Sequence, residues 1–199
     1  MKTVTGLFDT YGDAEAAVSN LQAAGIPSDD ISIVSNNGDG RYKTDDSNAA
    51  EGAGTGAGIG AGIGGAGGLL AGLGLLAIPG VGPVVAAGWL AATAAGAAAG
   101  AVVGGATGGI IGALTDSGVP ERDAHFYAEG VRRGGTLVTA RVDEARRSEA
   151  EAILKGSNWV DPVSRRRTYE EGGWRSFDPS LDPYTADQIA EERGRYPRA

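Results

Sequence analysis

The sequence predicts an α+β fold: a ferredoxin-like antiparallel sheet with an inserted glycine-zipper helical hairpin and an extended C-terminal tail. Three observations predict it. Residues 3–34 and residues 136–160 each read as strand–helix–strand. Two such units can build a four-stranded antiparallel sheet with helices on one face. Between them, no charged residue occurs between Glu51 and Asp116. Within that uncharged block glycine recurs at every fourth position, at Gly52, Gly56, Gly60, Gly64, Gly68 and Gly72, and again at Gly96, Gly100, Gly104, Gly108 and Gly112. A spacing of four lines one side of a helix, so the repeat leaves a side-chain-free groove that admits a second helix.

The expected organisation follows the composition. Residues 1–35 and 116–160 form the two halves of the sheet domain, 36–51 a polar loop, 52–115 the helical hairpin and 161–199 the tail. Thr3-Val4-Thr5-Gly6-Leu7-Phe8 is rich in β-formers and reads as the first strand. Asp13 can cap a helix over residues 14–24, with Ala14, Ala17, Val18 and Leu21 on its inner face and Gly25 at its stop. Residues 30–34 read as a second strand. Pro79-Gly80-Val81-Gly82-Pro83 is the predicted turn between the two zipper helices. After Pro120, a helix over residues 121–132 would bury Ala124, Tyr127, Ala128 and Val131. Residues 136–142 alternate as a strand, and a helix to about Lys155 would turn Ala145, Ala152 and Ile153 inward. Asn158-Trp159-Val160 is the expected last strand. In the tail, Thr185-Ala186-Asp187-Gln188 matches a capping box and predicts a short helix to Arg193. Trp174, Phe177 and Tyr184 are expected to dock on the parent domain.

Charge and composition exclude several classes of function. The net charge is −8, with three basic and nine acidic residues in 1–51 and 14 basic and 16 acidic in 116–199. No segment is basic, which argues against nucleic acid as a partner. The run Arg165-Arg166-Arg167 is followed by Glu170 and Glu171 and reads as solvated tail. The absence of cysteine excludes disulfides, thiolate metal sites and cysteine nucleophiles. The start of the chain lacks the apolar run of a signal peptide. His125 is the lone histidine, so no Ser–His pair is available. With Asp123 and Glu129 on its helix it could touch a metal or move a proton, but a packing role is the plainer reading. Gly60-Ala61-Gly62-Ile63-Gly64-Gly65 fits G-x-G-x-x-G, yet a polar loop precedes it where a dinucleotide fingerprint needs a strand. No catalytic residue, cofactor or metal is expected, and an enzyme is the least favoured class.

Each helical glycine costs roughly 1 kcal/mol relative to alanine, so the repeat needs compensation from close packing or from a bilayer. The predicted helices over residues 54–78 and 83–114 would be about 37 and 48 Å long, enough to cross a hydrocarbon core of about 30 Å. Against insertion stand the weak hydrophobicity of Gly and Ala and the lack of flanking positive charge. Two uses therefore stay open: a membrane-associated, self-associating hairpin, or a soluble oligomer that buries the zipper between subunits and binds a small ligand or a partner.

The flanks also carry a resemblance. Thr5-Gly6-Leu7-Phe8-Asp9, the helix that leads to Gly25-Ile26-Pro27, and Ile31-Ser32-Ile33-Val34 resemble the bacterial general stress protein 17M-like domain. Gly118-Val119-Pro120-Glu121, Tyr127-Ala128-Glu129-Gly130-Val131 and Gly134-Gly135-Thr136-Leu137-Val138 are similar to its second half. The resemblance covers residues 1–160. It implies a stress-induced, non-catalytic bacterial protein with no catalytic residues to carry over. The expected location is the cytoplasm, with the hairpin on the inner membrane and both termini on the cytoplasmic side.

Overall fold

A computed structural model of the chain describes residues 1–38, 40, 74–78, 80–93 and 108–196. Its centre is a five-stranded antiparallel sheet. The strands are β1 (Lys2–Phe8), β2 (Ile31–Asn36), β3 (Gly74–Ile78), β4 (Gly82–Gly88) and β5 (Thr136–Val142), in spatial order β1-β5-β2-β4-β3. The register sets Gly6 opposite Val138, Ile33 opposite both Val138 and Ala87, and Leu76 opposite Val84.

The helices are α1 (Tyr11–Ala23), α2 (Ala113–Asp116), α3 (Glu121–Arg132), α4 (Arg147–Gly156), α5 (Pro162–Glu171) and α6 (Ala186–Gly194). A short helical stretch at residues 89–93 follows β4, and a π-helical turn, Gly108–Gly112, leads into α2. Both faces of the sheet are covered. On one, α1 and α4 pack Ala14, Val18, Leu21 and Leu154 against Phe8, Ile31, Ile33 and Val138. On the other, Leu90, Ile110, Leu114 and α3 pack against Leu7, Val34, Val84 and Leu137.

This corrects the expectation of helices on one face. Every residue of β2 is buried, and all of β5 except Arg141. Strands buried throughout need a layer on each side. The second layer is α3 with the chain that precedes it, placed there by side chains of opposite parity to those that meet α1. In β1, for example, Phe8 joins the α1 face and Leu7 the α3 face.

The hairpin expectation is corrected where it meets described residues. Residues 74–78 and 82–88, predicted as helix, pair as β3 and β4, and β4 extends the sheet beside β2. Pro79-Gly80-Val81-Gly82-Pro83 does reverse the chain, but between strands, closed by Val81 N–H to the Ile78 carbonyl at 3.0 Å. The physical reason is local. Val84 and Val85 are β-branched, and Gly80, Gly82 and Gly88 all have positive φ, which breaks a helix at three points. At Gly88 (φ +87°) a Cβ would collide with the Ile31 carbonyl, so only glycine permits this pairing with β2.

Other differences are smaller. Thr10, not Asp13, caps α1, and its Oγ1 accepts from the Asp13 N–H at 3.2 Å. The predicted strand at 158–160 does not form: a turn at 157–158 leads into irregular chain, with one ladder-like bond from Val160 N–H to the Leu7 carbonyl at 2.7 Å. Pro162 starts α5 directly after it and leaves no room for a strand. In α4 the buried residues are Ala150 and Leu154, whereas Ala145 and Ala152 are exposed and Ile153 is half-buried. A 3-10 turn at Glu144–Arg146 delays the α-helix and rotates its face. The tail is not extended over its first ten residues: these are α5, with Asp161 as N-cap and Pro162 in the first turn. The inner faces predicted for α1 and α3 are buried as expected.

Candidate functional site

The densest polar assembly among the described residues lies where the C-terminal segment crosses α3. It begins with helical spacing. Glu129, Arg132 and Arg133 stand at i, i+3 and i+4, so one face of the helix end carries a carboxylate between two guanidinium groups. Glu129 is 1% exposed. Its Oε2 accepts from Arg132 Nε at 3.0 Å, and its Oε1 from Arg133 Nε at 2.6 Å. Arg133 then reaches out of its own element and donates to Glu192 Oε1 of α6 at 3.1 Å. Glu192 is buried too, and its Oε2 accepts from Arg195 at 3.2 Å. Charges of alternating sign thus run from the core to the surface.

A second pairing fixes α5. Arg165 donates to Asp9, just after β1, through Nη1 at 2.7 Å and Nη2 at 2.8 Å, a bidentate fork. Arg166 donates to Asp123 Oδ1 at 2.6 Å. Of the three consecutive arginines only Arg167 is solvated, paired with Glu171 on its own helix. The expected solvated run is therefore corrected for Arg165 and Arg166. Helix α5 lies on the domain, where Asp9, just after β1, and Asp123 of α3 pair with two of its three charges.

Aromatic rings fill the space between the ions. Arg133 sits 4.2 Å above the Tyr169 ring, Arg132 4.8 Å above Tyr184, and Arg165 3.4 Å above Tyr196. Burial pushes the Tyr169 phenol well above its usual value of 10.0, and the nearby Arg165 only partly offsets this. Tyr127, on the inner face of α3, is raised for the same reason. Trp174 meets Tyr169 edge-on at 6.0 Å, and Phe177 is buried in the same cluster. The expected docking of tail aromatics on the parent domain is borne out.

The assembly leaves a small, partly open void bounded by Asp9, Gly134, Arg165, Tyr169 and Tyr196, of about 10 Å³. That is room for about one water. Every acid in the assembly is matched by an arginine, so its chemistry is that of a clasp. His125 stands apart, with Nε2 3.9 Å from Glu121. Asp123 and Glu129, its sequence neighbours, turn to arginines instead. Among the described residues no group of three His, Asp or Glu side chains is placed to hold a metal ion.

With the β1–α1–β2 unit and the edge of β3 in place, the N-terminal part of the chain can be matched to a family. Residues 3–77 match the model of the heat induced stress protein YflT domain. The resemblance to general stress proteins is borne out over that region. No curated protein and no solved structure matches the chain. The YflT match contains Asp9 but not Glu129, Arg133, Arg165 or Glu192, so most of the clasp lies outside it.

Of the predicted helix-packing glycines, Gly52, Gly56, Gly60, Gly64, Gly68, Gly72, Gly96, Gly100 and Gly104 lie outside the described residues. Gly108 and Gly112 bound the π-helical turn before α2. The clasp escaped sequence reasoning. The spacing of Glu129, Arg132 and Arg133 was a usable signal, but their partners lie dozens of residues away, and no local pattern names them.

Proposed function

We propose that this chain is a non-catalytic stress-response protein whose glycine repeats drive self-association and bring the uncharged stretch into contact with a bilayer at the cytoplasmic face of the inner membrane. The observation that carries the reading is the four-residue glycine repeat in a stretch without charge, in a chain whose residues 3–77 match a stress-protein domain. No helix among the described residues is long and apolar enough to cross a membrane, so bilayer contact would rest on the glycine-rich stretch itself.

Deleting the whole block is a poor test, because it removes β3, β4, Ile110 and Leu114 from the folded domain. Point substitution is cleaner. The wild-type chain is expected to form oligomers in sedimentation velocity and to float with liposomes. The triple change Gly64→Leu, Gly68→Leu, Gly104→Leu should return a folded monomer. A monomeric wild type, or an oligomer indifferent to the three leucines, refutes zipper-driven assembly. Oligomers that never float confine the function to soluble assembly, the second use open to the zipper.

A further inference from the structure

We propose that residues 172–185, between α5 and α6, form a strap that clamps the β3–β4 turn and opens while the helices at its ends stay docked. The two ends are held firmly. Arg165–Asp9 fixes α5, and Arg133–Glu192 fixes α6, as does a bond from Arg193 Nη2 to the Gly134 carbonyl at 2.8 Å. The middle is held lightly. Arg175, Ser176, Asp178, Ser180, Leu181, Asp182 and Pro183 are all exposed, and Phe177 is the one buried side chain between Gly172 and Thr185.

Yet this thin segment lies directly on the turn. A Cβ at Gly80 would come within 2.6 Å of Pro179 Cα and 3.1 Å of the Phe177 ring, and one at Gly82 within 2.8 Å of Pro183 Cβ. Glycine at both positions leaves the seat for the strap. Two further links come from α3: Arg132 Nη1 donates to the Asp182 carbonyl at 3.3 Å, and its guanidinium covers Tyr184. Ile78 and Val81, 9% and 0% exposed, belong to the same apolar cluster as Phe177. Among the described residues β3 pairs with β4 alone and stands at the edge of the sheet.

A segment with few buried contacts opens more readily than the core around it. Opening the strap removes Phe177 from the turn and uncovers an apolar hairpin tip, while the clasp keeps the rest of the tail in place. The strap thus makes exposure of Ile78 and Val81 a local event, separable from unfolding.

Hydrogen–deuterium exchange of the full chain tests this. In Phe177→Ala, amides of residues 81–87 should exchange faster by something on the order of tenfold, while those of residues 3–7 and 137–141 stay near wild type. A conservative control keeps the anchor: Phe177→Leu, which retains an apolar side chain against the turn, should leave exchange at residues 81–87 near wild type. Equal acceleration in all five strands would make the segment ordinary core and overturn the proposal. So would a hairpin indifferent to Phe177→Ala, or one that Phe177→Leu accelerates as much as alanine does.

Discussion

Glu129 is the residue on which the clasp depends most. It is a buried carboxylate shared by two arginines, and one of these passes the link to α6. Removing one member of a buried ion pair leaves the others without compensation, at a cost of about 3–5 kcal/mol. Glu129→Ala is expected to lose about that much in urea unfolding, with Glu129→Gln recovering part by keeping an acceptor. A loss below about 1 kcal/mol would show that the network is dispensable. Tyr169 gives a test in pH. Its phenol is raised by burial, so the folded state holds that proton more tightly than the unfolded chain. Its contribution is complete below pH 10.0 and is lost as pH rises beyond it. Stability should therefore fall with increasing pH above that point, and Tyr169→Phe should flatten the fall, measured as the slope of unfolding free energy against pH.

At the scale of elements, local chemistry was legible wherever it decided the outcome. Thr185 and Gln188 form the predicted capping box, with Thr185 N–H to Gln188 Oε1 at 2.9 Å and Gln188 N–H to Thr185 Oγ1 at 3.3 Å. Thr185→Ala should cost about 1 kcal/mol and fray the start of α6, read as faster amide exchange at residues 187–189. Unchanged exchange there would mean that docking, not capping, holds the helix. Helix α3 and the inner face of α1 were readable for the same reason, from apolar spacing and breakers. Strands β3 and β4 were not. Leu75, Leu76, Val84 and Val85 fit a buried strand or a buried helix equally well, and short apolar runs cannot be told apart by periodicity. What decides is Gly88 against the Ile31 carbonyl, a contact between residues far apart in sequence. The candidate site divides likewise: Glu129, Arg132 and Arg133 are marked by helical spacing, while Asp9, Arg165 and Glu192 join them through tertiary packing alone.

At the scale of the molecule, the tail is part of the fold. Tyr169, Phe177 and Ile189 are all buried against the domain. Fully burying side chains of this size contributes roughly 1.5–3 kcal/mol each, before the entropy of ordering the segment. A chain ending at Asp161 should unfold at markedly lower urea, by about 3 kcal/mol or more, and should bind an apolar dye that the full chain does not. Undiminished stability would make the tail a passenger. Residues beyond 160, expected as an extended tail, thus place Tyr169, Phe177 and Ile189 in the buried interior.

The sheet order also sets a timetable for synthesis. Lys2 pairs with Val142 and Ile31 with Ala140, so neither of the first two strands meets β5 until the chain has been made that far. At about 5–20 residues per second, β2 leaves the ribosome on the order of ten seconds before that partner exists. Throughout that interval two apolar strands and the nascent glycine-rich stretch coexist without the centre of their sheet. The molecule is then most exposed to mispairing and most dependent on chaperones, at a moment set by the order of its strands.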